Sequence, residues 1–172
     1  MRNSNRLWRI LRHRWLDESD VRRALGREAL DRIQARIAAS EQRHSGEIRV
    51  CVEAGLPISY LWRGASARER AVTMFGKLRV WDTEANNGVL IYLLLAEHAI
   101  EIVADRGVAR HAGTDHWQRV VHAMGEHFRA GRFEQGLMEA VEAVDSLLAT
   151  HFALADSAPN PNELPDRPHV AG

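Results

Sequence analysis

The stretch that decides the fold spans residues 86–107 and reads NNGVLIYLLLAEHAIEIVADRG. Residues 89–95 form a continuous apolar run, which is typical of a short strand that is covered on both faces. Residues 96–98 are a short turn, and residues 99–104 resume an apolar pattern of strand length. Strands joined by so short a turn pair antiparallel, so the stretch predicts a buried strand and its hairpin partner.

A third strand lies upstream, at residues 47–53. Alternate positions from Ile48 to Val52 are apolar, which is the period of a half-buried strand. Between strands 47–53 and 89–95, Ser66 and Glu69 form a capping box that begins a helix. Its predicted buried face consists of Ala71, Val72, Phe75 and Leu78. Because one helix connects these strands, we expect them to be parallel, with a right-handed crossover.

Helical periodicity accounts for most of the remaining chain. Apolar residues repeat at every fourth position in residues 18–43, which predicts one long helix. Gly26 lies inside it and costs about 1 kcal/mol relative to alanine. Two further helices are predicted over residues 114–131 and 133–150. The predicted fold class is therefore α/β: a three-layer α/β/α domain whose small mixed sheet combines one parallel βαβ crossover with a β-hairpin and is flanked by helices.

Composition divides the 172 residues into three parts. Residues 1–17 form a basic amphipathic arm, residues 18–152 the folded domain, and residues 153–172 a Pro-rich tail that is predicted to be disordered. The candidate binding residues of the arm are Arg6, Trp8, Arg9, Arg12 and Trp15. Such an arm can lie on an anionic membrane surface or dock a protein partner, and it can also simply pack on the domain.

Composition also excludes several classes of protein. The formal net charge is zero, so no overall positive field favours binding to nucleic acid. The single cysteine, Cys51, cannot form an internal disulfide and fits a reducing compartment. The longest apolar run is far shorter than the roughly 20 residues of a membrane-spanning helix. No secretory signal is apparent, and the expected location is cytoplasmic, with peripheral association with the inner membrane through the arm.

The predicted sheet gathers oxygen-bearing side chains at one edge. The end of strand 99–104 lies beside the starts of both parallel strands. This brings together Glu47, Asp82, Asn86, Asn87 and Asp105. Carboxylate and amide oxygens are the ligands that Ca²⁺ and Mg²⁺ take in proteins, so the set is a candidate metal site. The same residues also have structural interpretations, because asparagine before glycine, and aspartate, are typical of turns.

Candidate catalytic residues at this edge are Asp105 and His111, the latter as a general acid. The sequence contains no Walker loop, no GxSxG elbow, no GxGxxG motif and no HExxH zinc motif. Cys51 falls in a predicted strand, which favours a buried apolar role over that of a nucleophile. No complete catalytic constellation is therefore visible.

Five blocks of the chain resemble the TPM domain family. They are SGEIRV at 45–50, Ala71 with Phe75, NNGVLI at 86–91, VADRGV at 103–108 and FRAGRFEQGL at 128–137. The blocks follow the order of the family, and the resemblance covers roughly residues 20–150. It implies a compact α/β/α domain with a small mixed sheet.

The resemblance also implies two kinds of role. A plant member in the thylakoid lumen, associated with photosystem II repair, is described as an acid phosphatase with a calcium site. Bacterial relatives are often exported or membrane-anchored, and some accompany membrane proteins of the LemA type. This chain looks like a soluble bacterial branch. Asn86 stands where the family often has an acid, and the turn at 104–109 lacks one glycine and one acid but gains Asp105, so a metal site of the plant type is altered.

Two functions therefore stay open. The first is a non-catalytic interaction or accessory module linked to a membrane protein or assembly, which the missing catalytic constellation and the basic arm favour. The second is an acid-phosphatase-like hydrolase of phosphomonoesters that depends on a divalent cation. In that case Asp105, Glu47 and Asp82 would hold the cation, which polarises the phosphoryl oxygens.

Overall fold

The computed structural model describes residues 2–154 and 162–171. Within those residues the chain forms eight α-helices and four β-strands. The helices are α1 (Arg2–Trp15), α2 (Glu18–Ala24), α3 (Arg27–Ser40), α4 (Ile58–Trp62), α5 (Ala67–Lys77), α6 (Arg106–Ala109), α7 (Thr114–Arg129) and α8 (Phe133–His151). The strands are β1 (Glu47–Glu53), β2 (Gly88–Leu94), β3 (Ala99–Ala104) and β4 (His169–Ala171). None of the helices in this described part is long and apolar enough to cross a membrane.

The four strands form one mixed sheet in the order β3-β2-β1-β4. β1 and β2 are parallel, with Glu47 opposite Gly88 at one end and Glu53 opposite Leu94 at the other. β2 and β3 are antiparallel and are joined by a turn of 3₁₀ helix over residues 95–97. The predicted parallel crossover and hairpin are therefore confirmed.

Apolar side chains on the two faces of the sheet enter separate cores, because successive residues of a strand point to opposite faces. On one face Ile48, Val50 and Ile91 share a core with residues of α3, α7 and α8. On the other face Leu90 and Tyr92 share a core with residues of α4 and α5. The predicted three-layer α/β/α arrangement is confirmed, with the sheet as its middle layer.

The prediction of a single helix over residues 18–43 is wrong, because the chain bends between Leu25 and Gly26. Leu25 has extended backbone angles, and Gly26 is the N-cap of α3. Asp17 begins α2 with a capping box that it forms with Asp20. Both helices bury the same apolar stripe, so the periodicity continues across the bend and conceals it.

α5 begins at the predicted N-cap, Ser66, but its buried face differs from the prediction. Met74 is buried, whereas Val72 is 51% exposed. The inner face of the helix also carries Arg70, which donates hydrogen bonds of 2.8 and 2.5 Å to Glu53 on β1. The face of α5 that packs on the sheet therefore includes a charged residue, and a pattern of apolar residues alone does not predict which face is buried.

Residues 162–171, the carboxyl-terminal segment, lie along β1, so the prediction of a disordered tail is wrong for them. The segment ends in β4, which is parallel to β1 and pairs with its residues 51–53. Residues 155–161 of the predicted tail lie outside the described residues. A three-residue strand is too short to show a periodic pattern, and the prolines before it make the segment look disordered by composition.

The loop after β1 contacts both the first helix and the last strand. The backbone N–H of Leu56 donates to the ring of His13 in α1 at 2.9 Å. The N–H of Ala54 donates to the carbonyl oxygen of Ala171, at the end of β4, at 3.0 Å. Helix α1 and strand β4 are thus attached to peptide groups that are two residues apart.

Candidate functional site

Two surfaces contain the residues that the sequence predicts to be functional: a polar rim at one edge of the sheet and the outer face of α1. The polar rim consists of Glu47, Asp82, Asn86, Asn87 and Asp105. It lies where β1 and β2 begin and β3 ends. The N–H of Asp105 donates to the carbonyl of Gly88, and the N–H of Gly107 donates to that of Asn86, both at 2.9 Å. The strand ends therefore converge as the predicted topology requires.

Asn87 and Asp105 form the buried part of the polar rim. The side-chain amide of Asn87 donates to the carbonyl and hydroxyl oxygens of Ser45, at 2.9 and 3.2 Å. Asp105 Oδ1 accepts the N–H of Arg106 at 2.6 Å and so caps α6. In the described part of the chain, Asn87 Oδ1 and Asp105 Oδ2 are buried without a hydrogen-bond partner. Such oxygens could coordinate a cation.

Glu47 belongs to the polar rim, but its carboxylate is already engaged. Its two oxygens accept hydrogen bonds of 3.1 Å from the backbone N–H groups of Glu163 and Leu164. Burial raises the pKa of Glu47, although the two N–H groups oppose that shift. Glu47 therefore holds the carboxyl-terminal segment, which differs from the metal-ligand role that the sequence predicts.

The other members of the polar rim, Asp82 and Asn86, are exposed. Asn86 has a φ of 51°, in the left-handed region, so a turn is present where the sequence predicts one. The N–H of the neighbouring Glu84 donates to the Glu163 carboxylate at 3.1 Å. Across residues 2–154 and 162–171, no group of three or more His, Cys, Asp or Glu side chains is placed to hold a metal ion.

His111, the candidate general acid, lies against α8. Its ring stacks on His151 with the centroids 4.3 Å apart, and it meets Phe152 edge-on at 5.6 Å. α6 separates it along the chain from Asp105. A general acid must reach its substrate directly or through one water. These ring contacts lend no support to that role, and it stays a prediction.

One face of α1 attaches the helix to the domain. Arg9 donates to the Glu97 carboxylate and to the Ala65 carbonyl, each at 2.7 Å. His13 is 5% exposed, and its Nδ1 accepts the N–H of Leu56. Its Nε2 is therefore the nitrogen that donates to Glu97, at 3.0 Å. Packing of the arm on the domain is one of the alternatives that the sequence leaves open, but the sequence does not single out the residues that attach it. Their only signal is that Arg9 and His13 are four residues apart and share a helix face.

The opposite side of the helix, the α1 face, is apolar and exposed. Its residues and their exposed fractions are Leu7 62%, Trp8 72%, Leu11 55% and Trp15 84%. These four are half of the eight large hydrophobic residues exposed in the described chain. Arg12 and Arg14 are exposed beside them, whereas the side chain of Arg6 lies outside what the structure describes. Apolar residues concentrated in this way mark interaction surfaces.

A groove of about 800 Å³ continues the α1 face toward the body of the domain. Its apolar lining consists of Trp8, Leu11, Trp15, Leu16, Ala24, Leu95 and Phe133. Arg12, Asp20 and Arg23 also line it, so the groove carries two positive charges and one negative charge. The apolar surface is therefore larger than the helix alone and is flanked mainly by arginine.

Comparisons with known proteins agree with the fold. The family model of the TPM domain matches residues 19–147. The NMR structure of BA42 protein from the psychrophilic bacterium Bizionia argentinensis is 28% identical, with a TM-score of 0.73, and the match covers 86% of this chain and 95% of that one. The N-terminal domain of a protein from P. gingivalis shares the fold at 21% identity, with a TM-score of 0.62 and coverage of 76% and 82%. No curated protein matches the chain.

Proposed function

The chain belongs to the TPM domain family, and from that premise we propose that it is a non-catalytic accessory module that binds an anionic membrane surface through the α1 face. Family membership defines a fold, whereas function depends on the particular sites that the fold carries. The observation that carries the proposal is a helix attached on one side, with two exposed tryptophans on the other. The proposed place of action is the cytoplasmic side of the inner membrane.

The charge around α1 favours an anionic surface. Five arginines and no acidic residue precede Asp17. Arg9 pairs with Glu97, whereas Arg12 and Arg14 are exposed beside the α1 face. Each basic side chain near an anionic bilayer contributes about 1 kcal/mol of attraction. An anionic bilayer is therefore a better occupant than a neutral one.

The apolar residues of the α1 face suit the membrane interface. Tryptophan favours that layer because its ring is large and apolar while its indole N–H is polar. Trp8 and Trp15 are two helical turns apart, with Leu11 between them, so all three can enter one surface together. Arg9 and His13 hold the helix from behind, so binding does not have to order it first.

Vesicle sedimentation tests this proposal. We expect the protein to bind vesicles that contain phosphatidylglycerol, to bind them more weakly at high salt, and to bind phosphatidylcholine alone poorly. The double variant Trp8→Ala, Trp15→Ala is expected to lower the partition coefficient at least tenfold, since a loss of about 1.4 kcal/mol is tenfold. Trp81→Ala is the matched control, because it removes a 52% exposed tryptophan away from α1 and should leave binding unchanged.

Equal vesicle binding by the double variant and the parent protein would contradict the proposal, as would equal binding to neutral and anionic vesicles. If the protein binds no vesicles but binds a membrane protein, and only when Trp8 and Trp15 are present, then the α1 face binds protein and not lipid. A partner of the LemA type, which the family resemblance suggests, is the first one to use in that arm of the experiment.

A second candidate function is phosphomonoester hydrolysis that depends on Ca²⁺ or Mg²⁺. One observation favours it: Asn87 Oδ1 and Asp105 Oδ2 are buried and lack partners among the described residues. Asn87 and Asp105 each offer an oxygen without a partner, whereas both oxygens of Glu47 already accept a backbone N–H group. A bound cation would supply polarisation of the phosphoryl oxygens.

Amide chemical shifts during a calcium or magnesium titration test the second function. Saturable shifts at residues 82–88 and 105–107, lost in Asp105→Asn and kept in Asp115→Asn, would support a cation site. Asp115 is exposed and lies in the first turn of α7, so it controls for charge alone. An unchanged spectrum at millimolar cation would contradict the site, whatever a phosphatase assay shows.

A further inference from the structure

The groove beside α1 is formed by four parts of the chain that meet at one place. One wall is α1 itself, and the others come from α2, from the turn after β2 and from the start of α8. The apolar residues of these other walls include Ala24, Leu95 and Phe133. The groove has a volume of about 800 Å³, and pockets that bind small molecules have volumes of about 300–1,000 Å³. It is therefore large enough to hold a small ligand.

The lining of the groove suits a hydrocarbon chain. Seven of its eleven lining residues are apolar. Trp8 and Trp15 both line it and are two helical turns apart, so the apolar wall follows α1 for roughly 10 Å. A chain that lies along this wall gains binding free energy with each CH₂ group that it removes from water.

The charged residues of the groove leave one positive charge without compensation. Arg23 donates to Asp20 Oδ1 at 2.7 Å, and Asp20 Oδ2 accepts the N–H of Asp17 at 3.0 Å. The acid and the base that α2 contributes to the groove therefore neutralise each other. Arg12 is exposed, and its side chain has no hydrogen bond or ion pair within the part of the chain that the structure describes.

The acidic residue that faces α1, Glu97, does not neutralise Arg12. Its Oε1 accepts hydrogen bonds from Arg9 at 2.7 Å and from His13 at 3.0 Å. These bonds also hold α1 in place, so the groove is formed before a ligand arrives and little free energy is lost in ordering its walls. An apolar groove beside an uncompensated guanidinium is complementary to an apolar chain that ends in an anion.

A carboxylate is the anion that one guanidinium fits best, because two parallel N–H groups can donate to its two oxygens. We propose that the groove binds one fatty-acid anion, with the chain along the apolar walls and the carboxylate at Arg12. This inference rests on the proposed function for the source of the ligand, since the bilayer in contact with the α1 face supplies it.

Isothermal titration of the full chain with decanoate, kept below its critical micelle concentration, tests the groove without any membrane. We expect saturable binding of one decanoate per chain. Decanol has the same chain without the charge, and decyltrimethylammonium has the opposite charge. Both should bind about tenfold more weakly or worse, because each loses the charged hydrogen bonds to Arg12.

Two alanine variants test whether the ligand occupies the groove. Ala24→Phe places a ring inside it and should weaken decanoate binding about tenfold or more, because the chain loses part of its apolar wall. Ala35→Phe makes the same change at an exposed position of α3 and should leave binding unchanged. Both alanines are exposed, so neither change overfills a core.

Two arginine variants separate the carboxylate contact from a general effect of charge. Arg12 and Arg14 are both exposed beside the α1 face, but only Arg12 lines the groove. Arg12→Gln should weaken decanoate binding about tenfold, and Arg14→Gln should not change it. Both variants should weaken binding to anionic vesicles, because each removes one positive charge near the bilayer.

The outcomes for the groove and for the proposed function are distinct. A parent protein that binds no decanoate, or that binds decanol equally well, would overturn the inference, as would unchanged binding in Ala24→Phe or Arg12→Gln. Vesicle binding without decanoate binding would reject the groove site and keep the proposed function. Decanoate binding without vesicle binding would reject the membrane as the source and leave free fatty acid as the ligand.

Discussion

At the scale of single residues, the polar rim depends on positions that have no room for a side chain. A Cβ on Gly88 would overlap the carbonyl oxygen of Val80. A Cβ on Gly107 would overlap the carbonyl oxygen of Asn86 and approach that of Ala85 to 2.9 Å. Both obstacles are backbone atoms, which cannot rotate away. The loop before β2 and the turn after β3 therefore pack backbone against backbone.

Gly107→Ala is expected to destabilise the protein by about 1–3 kcal/mol, because the backbone at the polar rim has to shift. Gly76→Ala is the matched control: its Cβ would meet nothing within 4 Å, and it lies inside α5. Replacing a helical glycine there should stabilise by about 0.5–1 kcal/mol. Urea unfolding measures both variants. A Gly107→Ala variant as stable as the parent would show that the two turns are not in tight contact.

The sequence predicts the conformation of some residues of the polar rim but not the contacts of others. The left-handed turn at Asn86 follows from local chemistry, because asparagine before Asn-Gly favours positive φ. The engagement of Glu47 could not be predicted, since its partners are 116 and 117 positions away in a segment that looks disordered by composition. The metal site at the rim remains a prediction.

At the scale of elements, the three predicted strands agree with the structure more closely than the predicted helix ends do. β1 and β3 begin and end where alternation and apolar runs place them, and β2 is shifted by one residue. Helix boundaries depend on caps, and glycine at the N-cap of α3 is a weak signal inside a continuous apolar stripe. The orientation of α5 involves a buried ion pair with β1, which no local pattern encodes.

Gly26→Ser is expected to stabilise the protein by about 1 kcal/mol. Serine can cap α3 where glycine makes no side-chain hydrogen bond, and it also restricts the unfolded chain. Gly26 has a φ of −55° and open space around its Cα, so the change introduces no strain. Thermal and urea unfolding measure the gain.

Gly64→Ser provides the opposite control for this prediction. The chemical change is identical and the space is again open, but the φ of Gly64 is +70°. A residue with a Cβ is strained there by about 1 kcal/mol or more, so this variant should be less stable than the parent. If both serine variants change stability in the same direction, capping is not the reason for the effect at Gly26.

At the scale of the whole molecule, one buried polar cluster joins β1 and β2 of the sheet to helix α5. Glu53 on β1 accepts two hydrogen bonds from Arg70 of α5 and one of 2.7 Å from the hydroxyl of Tyr92 on β2. Glu53 and Arg70 are 3% and 7% exposed. Removing one member of such a pair leaves the other charge buried without compensation.

Arg70→Ala is therefore expected to destabilise the protein by about 3–5 kcal/mol. Tyr92→Phe removes a single hydrogen bond to the same carboxylate and should cost about 1 kcal/mol. Urea unfolding of the two variants, with near-ultraviolet circular dichroism as a check on packing, measures the difference. If Arg70→Ala costs no more than Tyr92→Phe, the pair contributes little to joining the layers.

The three-layer architecture was predictable because it follows from element order, one crossover and one hairpin. The fourth strand was not predictable, because parallel pairing of a three-residue strand depends on long-range contacts with Glu47 and Arg49. The attachment of α1 is similar, since Arg9 and His13 contact residues more than forty positions away. Long-range polar contacts at the two ends of the chain were thus the main part of the fold that sequence patterns did not contain.

The loop over residues 54–56, which contacts both α1 and β4, has a mechanical consequence. Tension on α1 reaches the loop through the bond between His13 and Leu56, and the bond between Ala54 and Ala171 passes it to the end of the chain. This path crosses one short loop and bypasses the helices packed on the larger face of the sheet. A pull along α1 would therefore be transmitted to β4 and to the end of β1, which continues into the loop and pairs with β4.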